Sequence, residues 1–470
     1  MNLVKNSINS FIYNVIGSAI GFLFQIIAAK YLGAYLFGQA NYYLGYSATI
    51  SVFTGFGLQT FLAKNIYTYE NRKKTFSNIF WTSSFLYIIM CPIEYIFFRH
   101  NLTMREFTLI LLFTYISFAV VLMSGYYIGL NETKKVMFTT RIIYNIVNIG
   151  ILIILIFFAF KQSYLYLICM IFGNLIIILP FLRKTLSKPE MDFSFFKTSF
   201  VFYLNQIVYG VYLSYSKVLQ KNFGTFQSVA ILSVALTLGN ITSMLGDSFA
   251  KVSMPEFSKA WNSKDIISLE KNFKLVSRIN CYLILPIAIF TIINSQRLLI
   301  FLGKGYKNGS IILSMILISQ FISSFTGPNG TLLNMTCYSN IEVYNGILKL
   351  IVSIVLGFCL GKSYSWGIAF SIAAAEVLVN ILKTIELKKL LNIVPYSFKG
   401  TTYIVFLFII QTLLFFLLSN ISSFLLWIIV NSSIIVLFYY ISFKYSKEKE
   451  DRILIYNFLD NLYLILKKCI

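Results

Sequence analysis

The feature that most constrains this chain is a near-continuous succession of apolar stretches, each about long enough to cross a bilayer. Roughly 20 helical residues span the ~30 Å hydrocarbon layer. Measured against that length, the 470 residues hold fourteen such stretches. They fall at about 8–29, 38–63, 76–98, 107–130, 138–160, 163–182, 198–219, 227–250, 277–301, 309–335, 343–361, 364–386, 401–418 and 421–442. Short separators near 161, 220–226, 362 and 419 leave twelve or thirteen open as counts. Composition agrees: 58% of residues are hydrophobic and only 12% charged. Soluble domains carry about a quarter charged residues, so a purely soluble protein is a poor reading.

The net charge of +22 would point to nucleic acid in a soluble protein. Between apolar spans it belongs instead to the loops. With the N-terminus inside and fourteen spans, 29 of the 39 basic residues fall on one face and 10 on the other. That bias predicts cytoplasmic termini. No partnership with nucleic acid is expected. The single histidine, His100, disfavours histidine-based metal sites and acid–base schemes. None of the six cysteines forms a CxxC pair, so neither a zinc site nor a disulfide framework is expected.

The first stretch is too long for a signal-peptide core, and the loops between spans are short, the longest near 183–197, 251–276 and 387–400. After Phe443 the pattern changes: a charged run gives way to Ile455, Leu459, Leu462 and Leu466 at helical spacing. This reads as an amphipathic surface helix. The expected organisation is an all-α integral membrane protein of about 14 transmembrane helices. It divides into two six-helix bundles (1–197 and 198–390), two additional C-terminal helices (391–442) and a cytoplasmic amphipathic tail (443–470).

The two halves share a weak internal echo. Ala29-Lys30-Tyr31-Leu32-Gly33 with Phe37-Gly38 parallels Ser216-Lys217-Val218-Leu219 with Phe223-Gly224: a basic residue near a helix end, then glycine, then a new helix. Internal repeats with a central site are a common build of secondary transporters. The first of these stretches resembles the opening of polysaccharide exporters. That superfamily also holds multidrug exporters of the MATE type and lipid II flippases. Met254-Pro255-Glu256-Phe257, Pro286, and Phe301-Leu302-Gly303 with Tyr306 resemble the family's middle segment. Gly327-Pro328-Asn329-Gly330 with Leu333 and Asn334 looks like its tenth-span segment. The resemblance runs in order through residues 1–390 and extends to the Wzx-type repeat-unit flippases. One departure is Ser216 before Lys217, where many members carry an acidic residue.

The resemblance implies a non-enzymatic flippase. Its substrate would be an undecaprenyl-pyrophosphate-linked oligosaccharide, for O-antigen, capsule or another surface polysaccharide. The implied setting is the bacterial cytoplasmic membrane, among membrane lipids, with a polysaccharide polymerase and assembly proteins as partners. No cofactor is expected; a coupling ion would be H+ or Na+. Such a substrate needs a polar path for sugar and a counter-charge for pyrophosphate.

A cation within a span is costly and must face a cavity, find a partner or snorkel to the interface. The cationic candidates are Lys217, Lys221, Lys30 and Lys251; Lys349 lies about two turns into its span. Lys217 leads them, because its span also carries Asn205, Gln206, Tyr209, Tyr212, Ser214 and Ser216. Tyrosine offers a ring face and a hydroxyl to sugar. Asn14 and Gln25 in the first span complete the sugar-contact candidates. Asp247 and Lys251 form an i, i+4 pair in the favourable order, either a salt bridge at a helix end or a gate. Glu94 and Glu376 are isolated carboxylates in apolar surroundings. Each either pairs with a cation (Arg99 for Glu94) or serves as an ion-coupling group.

Two rivals stand. An ion-coupled multidrug or small-molecule exporter of the same superfamily would want a cavity richer in acidic groups. A polytopic glycosyltransferase or polymerase would want a sizeable extramembrane loop or catalytic groups at the interface.

Overall fold

In the computed structural model the described residues are 2–444, apart from 99–101, 131, 189, 190, 192, 194, 397, 420 and 422. The tail expected to form an amphipathic helix, and His100, therefore lie outside the described residues. Every regular element among those described is helical. The α-helices are α1 (Asn2–Thr54), α2 (Leu58–Asn65), α3 (Arg72–Phe98), α4 (Met104–Gly129), α5 (Thr133–Met137), α6 (Tyr144–Phe157), α7 (Tyr164–Thr185), α8 (Phe195–Phe223) and α9 (Phe226–Asn262). They continue as α10 (Ile266–Ile293), α11 (Ser295–Leu302), α12 (Ser310–Phe325), α13 (Asn329–Met335), α14 (Ser339–Gly361), α15 (Gly367–Leu391), α16 (Phe398–Leu418) and α17 (Phe424–Lys444). A π turn, Phe138–Ile143, joins α5 to α6.

Among the described residues, ten helical segments are long and apolar enough to cross a membrane, and two shorter apolar helices lie at 402–418 and 426–442. The chain is thus an all-α, multi-pass membrane protein. Helices suit this environment because they satisfy every backbone group within one segment.

The boundaries differ from the sequence expectation in instructive places. The first two apolar runs are two helical segments, as expected, but the break between them is Gly33 alone, whose φ of 74° and ψ of 168° suit only glycine. The second run ends early. Phe56 and Gly57 both take positive φ, and α2 resumes the helix at Leu58. The expected loop at 251–276 is mostly helix: α9 runs through Pro255 to Asn262 and α10 begins at Ile266. Phe257 and Ala260 hold that extension by burying against Phe273 and Leu332. Asp265 caps α10, accepting from the Ser268 amide at 3.0 Å. Its hydrogen bonds with Ser268 hold its carboxyl below the ordinary value. The expected 309–335 run breaks at Gly327-Pro328, where glycine takes φ 84° and proline starts a new short helix.

The chain forms two compact units. The first comprises Met1–Val234, Ile300–Lys307 and Leu350–Ser371; the second comprises Ala235–Leu299, Asn308–Lys349 and Ile372–Ile470. The first unit has an aromatic-rich core, with Phe76, Phe80, Phe107, Tyr126 and Phe181 buried together. Thr103 and Glu106 form a reciprocal cap on α4, and Glu106 also accepts from the Tyr43 hydroxyl. In the second unit α16 and α17 pack on α10 through Tyr282, Leu285, Leu407, Phe415 and Phe438. Arg297 fastens the α16–α17 turn there. Its Nη1 donates to the carbonyls of Ser419 (3.2 Å) and Ile421 (2.7 Å), and its guanidinium covers the Trp427 ring.

Candidate functional site

Within the first unit, α8 lays Lys217 against the second segment of α1. The approach is close: a Cβ on Gly45 would meet Lys217 Cβ at 3.2 Å. Lys217 Nζ donates to Asn41 Oδ1 at 3.2 Å. The Asn41 amide nitrogen is committed to the Phe37 carbonyl at 3.0 Å, which turns its oxygen toward the ammonium. The same helices carry other buried polar groups: Ser214, Ser216 and Gln220 on α8, Gln220 donating to the Ser365 carbonyl at 3.3 Å, and on α1 the Tyr42 and Tyr46 hydroxyls, bonded to each other. No carboxylate pairs with Lys217 among the described residues. The arrangement is a half-buried positive charge whose partner is a neutral amide. Chemically it can accept an anion without first losing a salt bridge.

The other predicted cations have different surroundings. Lys30 is exposed and lies 4.5 Å from the Phe301 ring centroid; Lys221 lies 4.7 Å from that of Phe226. Nearby, Gln227 donates to the Gly305 carbonyl at 2.5 Å, and the buried Tyr306 hydroxyl donates to the Ala29 carbonyl at 3.3 Å. Both lysines thus stack on rings at helix ends. Asn14, Gln25 and Tyr212 are half-buried in the first unit. The side chains of Asn205, Gln206, Tyr209, Asp247 and Lys251 lie outside the described residues.

The two carboxylates also part company. Glu94, on α3 after Pro92, is 7% exposed, and neither oxygen has a hydrogen-bond partner among the described residues. Arg99 is not among them. Glu376, in the second unit, forms an ion pair with Lys349 and accepts from Asn380 Nδ2 at 3.0 Å. The same two helices carry a second pair of opposite polarity, Lys383 with Glu342 at 2.7 Å, and Asn345 donating to Glu386 at 2.6 Å. Sequence reasoning weighed Lys349 and Glu376 separately and missed Glu342, Asn345, Lys383 and Glu386. The signal was there: 342, 345 and 349 recur at 3–4 spacing on α14, as do 376, 380 and 383 on α15.

Fold and composition together define a class, the multi-pass helical membrane proteins. Within it, residues 3–261 match the family described as polysaccharide biosynthesis protein, and the chain belongs to that family. No curated protein matches the sequence. The fold is similar to that of a solved lipid II flippase, MurJ, in an inward closed conformation. Identity is 15% and the TM-score 0.72, covering 93% of this chain and 98% of that one. It is also similar to an inward-facing multidrug resistance MATE family transporter of the MOP superfamily. Here identity is 12% and the TM-score 0.63, with 81% and 98% of the two chains covered.

Proposed function

We propose that this protein is a flippase for lipid-linked saccharides. It would carry undecaprenyl-pyrophosphate-linked oligosaccharide units across the bacterial cytoplasmic membrane, with fourteen spans, both termini cytoplasmic and alternating access between two six-helix halves. The observation that carries the reading is Lys217, a buried-side cation held by a neutral amide and lacking a carboxylate partner among the described residues. A positive charge within a span is retained where it has work to do, and a pyrophosphate headgroup supplies the missing anion. Family membership and the flippase-like fold support the same assignment. Tyr212, Asn14 and Gln25, with Asn205, Gln206 and Tyr209, are the proposed sugar contacts. Lys30, Lys221 and Lys251 would steer the headgroup. Glu94 is the proposed H+ or Na+ coupling group, with Asp247 at a gate. Glu376 is engaged by Lys349 and is the weaker coupling candidate.

The test is complementation of a bacterium lacking its own repeat-unit flippase, supplied with defined repeat units. Wild type restores surface polysaccharide. Lys217→Ala, present at normal protein level, does not. Full polysaccharide from that variant removes Lys217 from the site. Glu94 also keeps a second reading alive, an ion-coupled exporter of small molecules. That reading wins if wild type fails to restore polysaccharide with any repeat unit yet lowers drug accumulation.

A further inference from the structure

Arg141 occupies a place the sequence did not suggest. It lies inside the membrane-length segment Thr133–Phe157 rather than at its flank. The exposed Lys134 and Lys135 mark the start of that segment. Arg141 follows Lys135 by six residues, roughly 9 Å deeper at the α-helical rise. There the helix widens into the π turn Phe138–Ile143. Such turns are rare and concentrate at functional sites.

This π turn is braced from α1. A Cβ on Gly17 would lie 2.5 Å from Arg141 Cβ, so only glycine lets the two backbones meet. Asn145 Nδ2 donates to the carbonyls of both Gly17 (2.9 Å) and Arg141 (2.6 Å), stitching the turn to α1. The neighbouring cations are already engaged: Lys134 lies over the Tyr13 ring, and Lys135 is bonded to Glu132 at 2.7 Å. The Arg141 side chain is exposed, and no ion pair or ring partner holds it among the described residues. An exposed guanidinium at this depth needs water or an anion.

We propose that Arg141 is a second headgroup cation, aimed by the braced π turn at the face of α1 that carries Asn14, and that it binds the phosphates of the lipid-linked substrate. This rests on the flippase reading above. The guanidinium fork matches phosphate oxygens two at a time, which a lysine cannot do. Gly17 stands sixteen residues before the Gly33 break, and Asn41, the partner of Lys217, eight residues after it. The two cations thus meet α1 on either side of that break. They form two stations for one headgroup, with Arg141 nearer the cytoplasm in the proposed orientation.

The experiment uses the full-length protein in lipid nanodiscs, with geranyl pyrophosphate as probe, geraniol as control and calorimetry as readout. Arg141→Met weakens binding about tenfold or more, the loss expected for a charge-assisted contact. Arg141→Lys keeps the charge, and with it the fold, but loses the fork. It weakens pyrophosphate binding several-fold and flattens the preference for geranyl pyrophosphate over geranyl monophosphate. Gly17→Ala, with Arg141 intact, also weakens binding because the added methyl displaces the π turn. If the Arg141 variants bind as wild type while Lys217→Met is weakened, Arg141 is an interfacial anchor and this proposal falls, the Lys217 reading surviving. If Arg141→Met weakens binding and Lys217→Met does not, the reverse holds. If wild type binds geranyl pyrophosphate no better than geraniol, both fall.

Discussion

Lys217 and Lys349 are chemically alike and differ in what faces them. Lys349 meets the carboxylate of Glu376, which also accepts from Asn380; among the described residues Lys217 meets the Asn41 amide and no carboxylate. The difference sets opposite expectations on substitution. Lys349→Met strands Glu376, whose side chain is 14% exposed. Breaking a buried pair from one side costs about 3–5 kcal/mol, so the variant should melt well below wild type in detergent. Lys349→Met with Glu376→Met removes both charges and should regain most of that loss. A single variant as stable as wild type would mean that Glu376 finds another cation or a proton without cost. Sequence marked Lys217, Glu94 and Glu376 as residues to watch, because charge is scarce within the spans. It could not say which of them had partners, since α14 and α15 meet along a stripe whose register is set by packing.

Helix continuity depends on a few residues with unusual backbone angles. Gly33 breaks α1, and nothing stands within 4 Å of where its Cβ would be. A substitution there meets backbone strain alone, about 1–3 kcal/mol for this region of φ/ψ space. Gly33→Ala should therefore lower the melting temperature without altering the helical content seen by circular dichroism. An unchanged melting temperature would show that the break relaxes freely. The α9 extension teaches the converse. Its charged and polar residues from Lys251 to Asn262 read as loop, yet Phe257 and Ala260 find a buried seat and carry the helix onward. The π turn at Phe138–Ile143 belongs here too. Nothing in its residues Phe138 to Ile143 marks it locally; what meets it is Gly17 on α1, far away in sequence.

At the scale of the molecule, the loop-charge bias makes a prediction about sidedness. A reporter active only outside the cytoplasm should work when fused after Lys307 and stay silent when fused near Pro189. Activity at Pro189 would reverse the proposed orientation. The sequence by itself determined the solvent: runs of about 20 apolar residues admit only a membrane-spanning helical protein, and their motifs carried the family. Hydrophobicity and motif identity are properties of residues one at a time or in short order, so they can be read along the chain. Tertiary structure alone decided which charges were answered. Asn41 and Lys217 are 176 residues apart, as are Asn145 and Gly17 by 128. Such meetings depend on which helix faces pack together, and in lipid every span is apolar enough to pack several ways. The few polar contacts between helices, rather than the apolar pattern that predicts the spans, distinguish those alternatives.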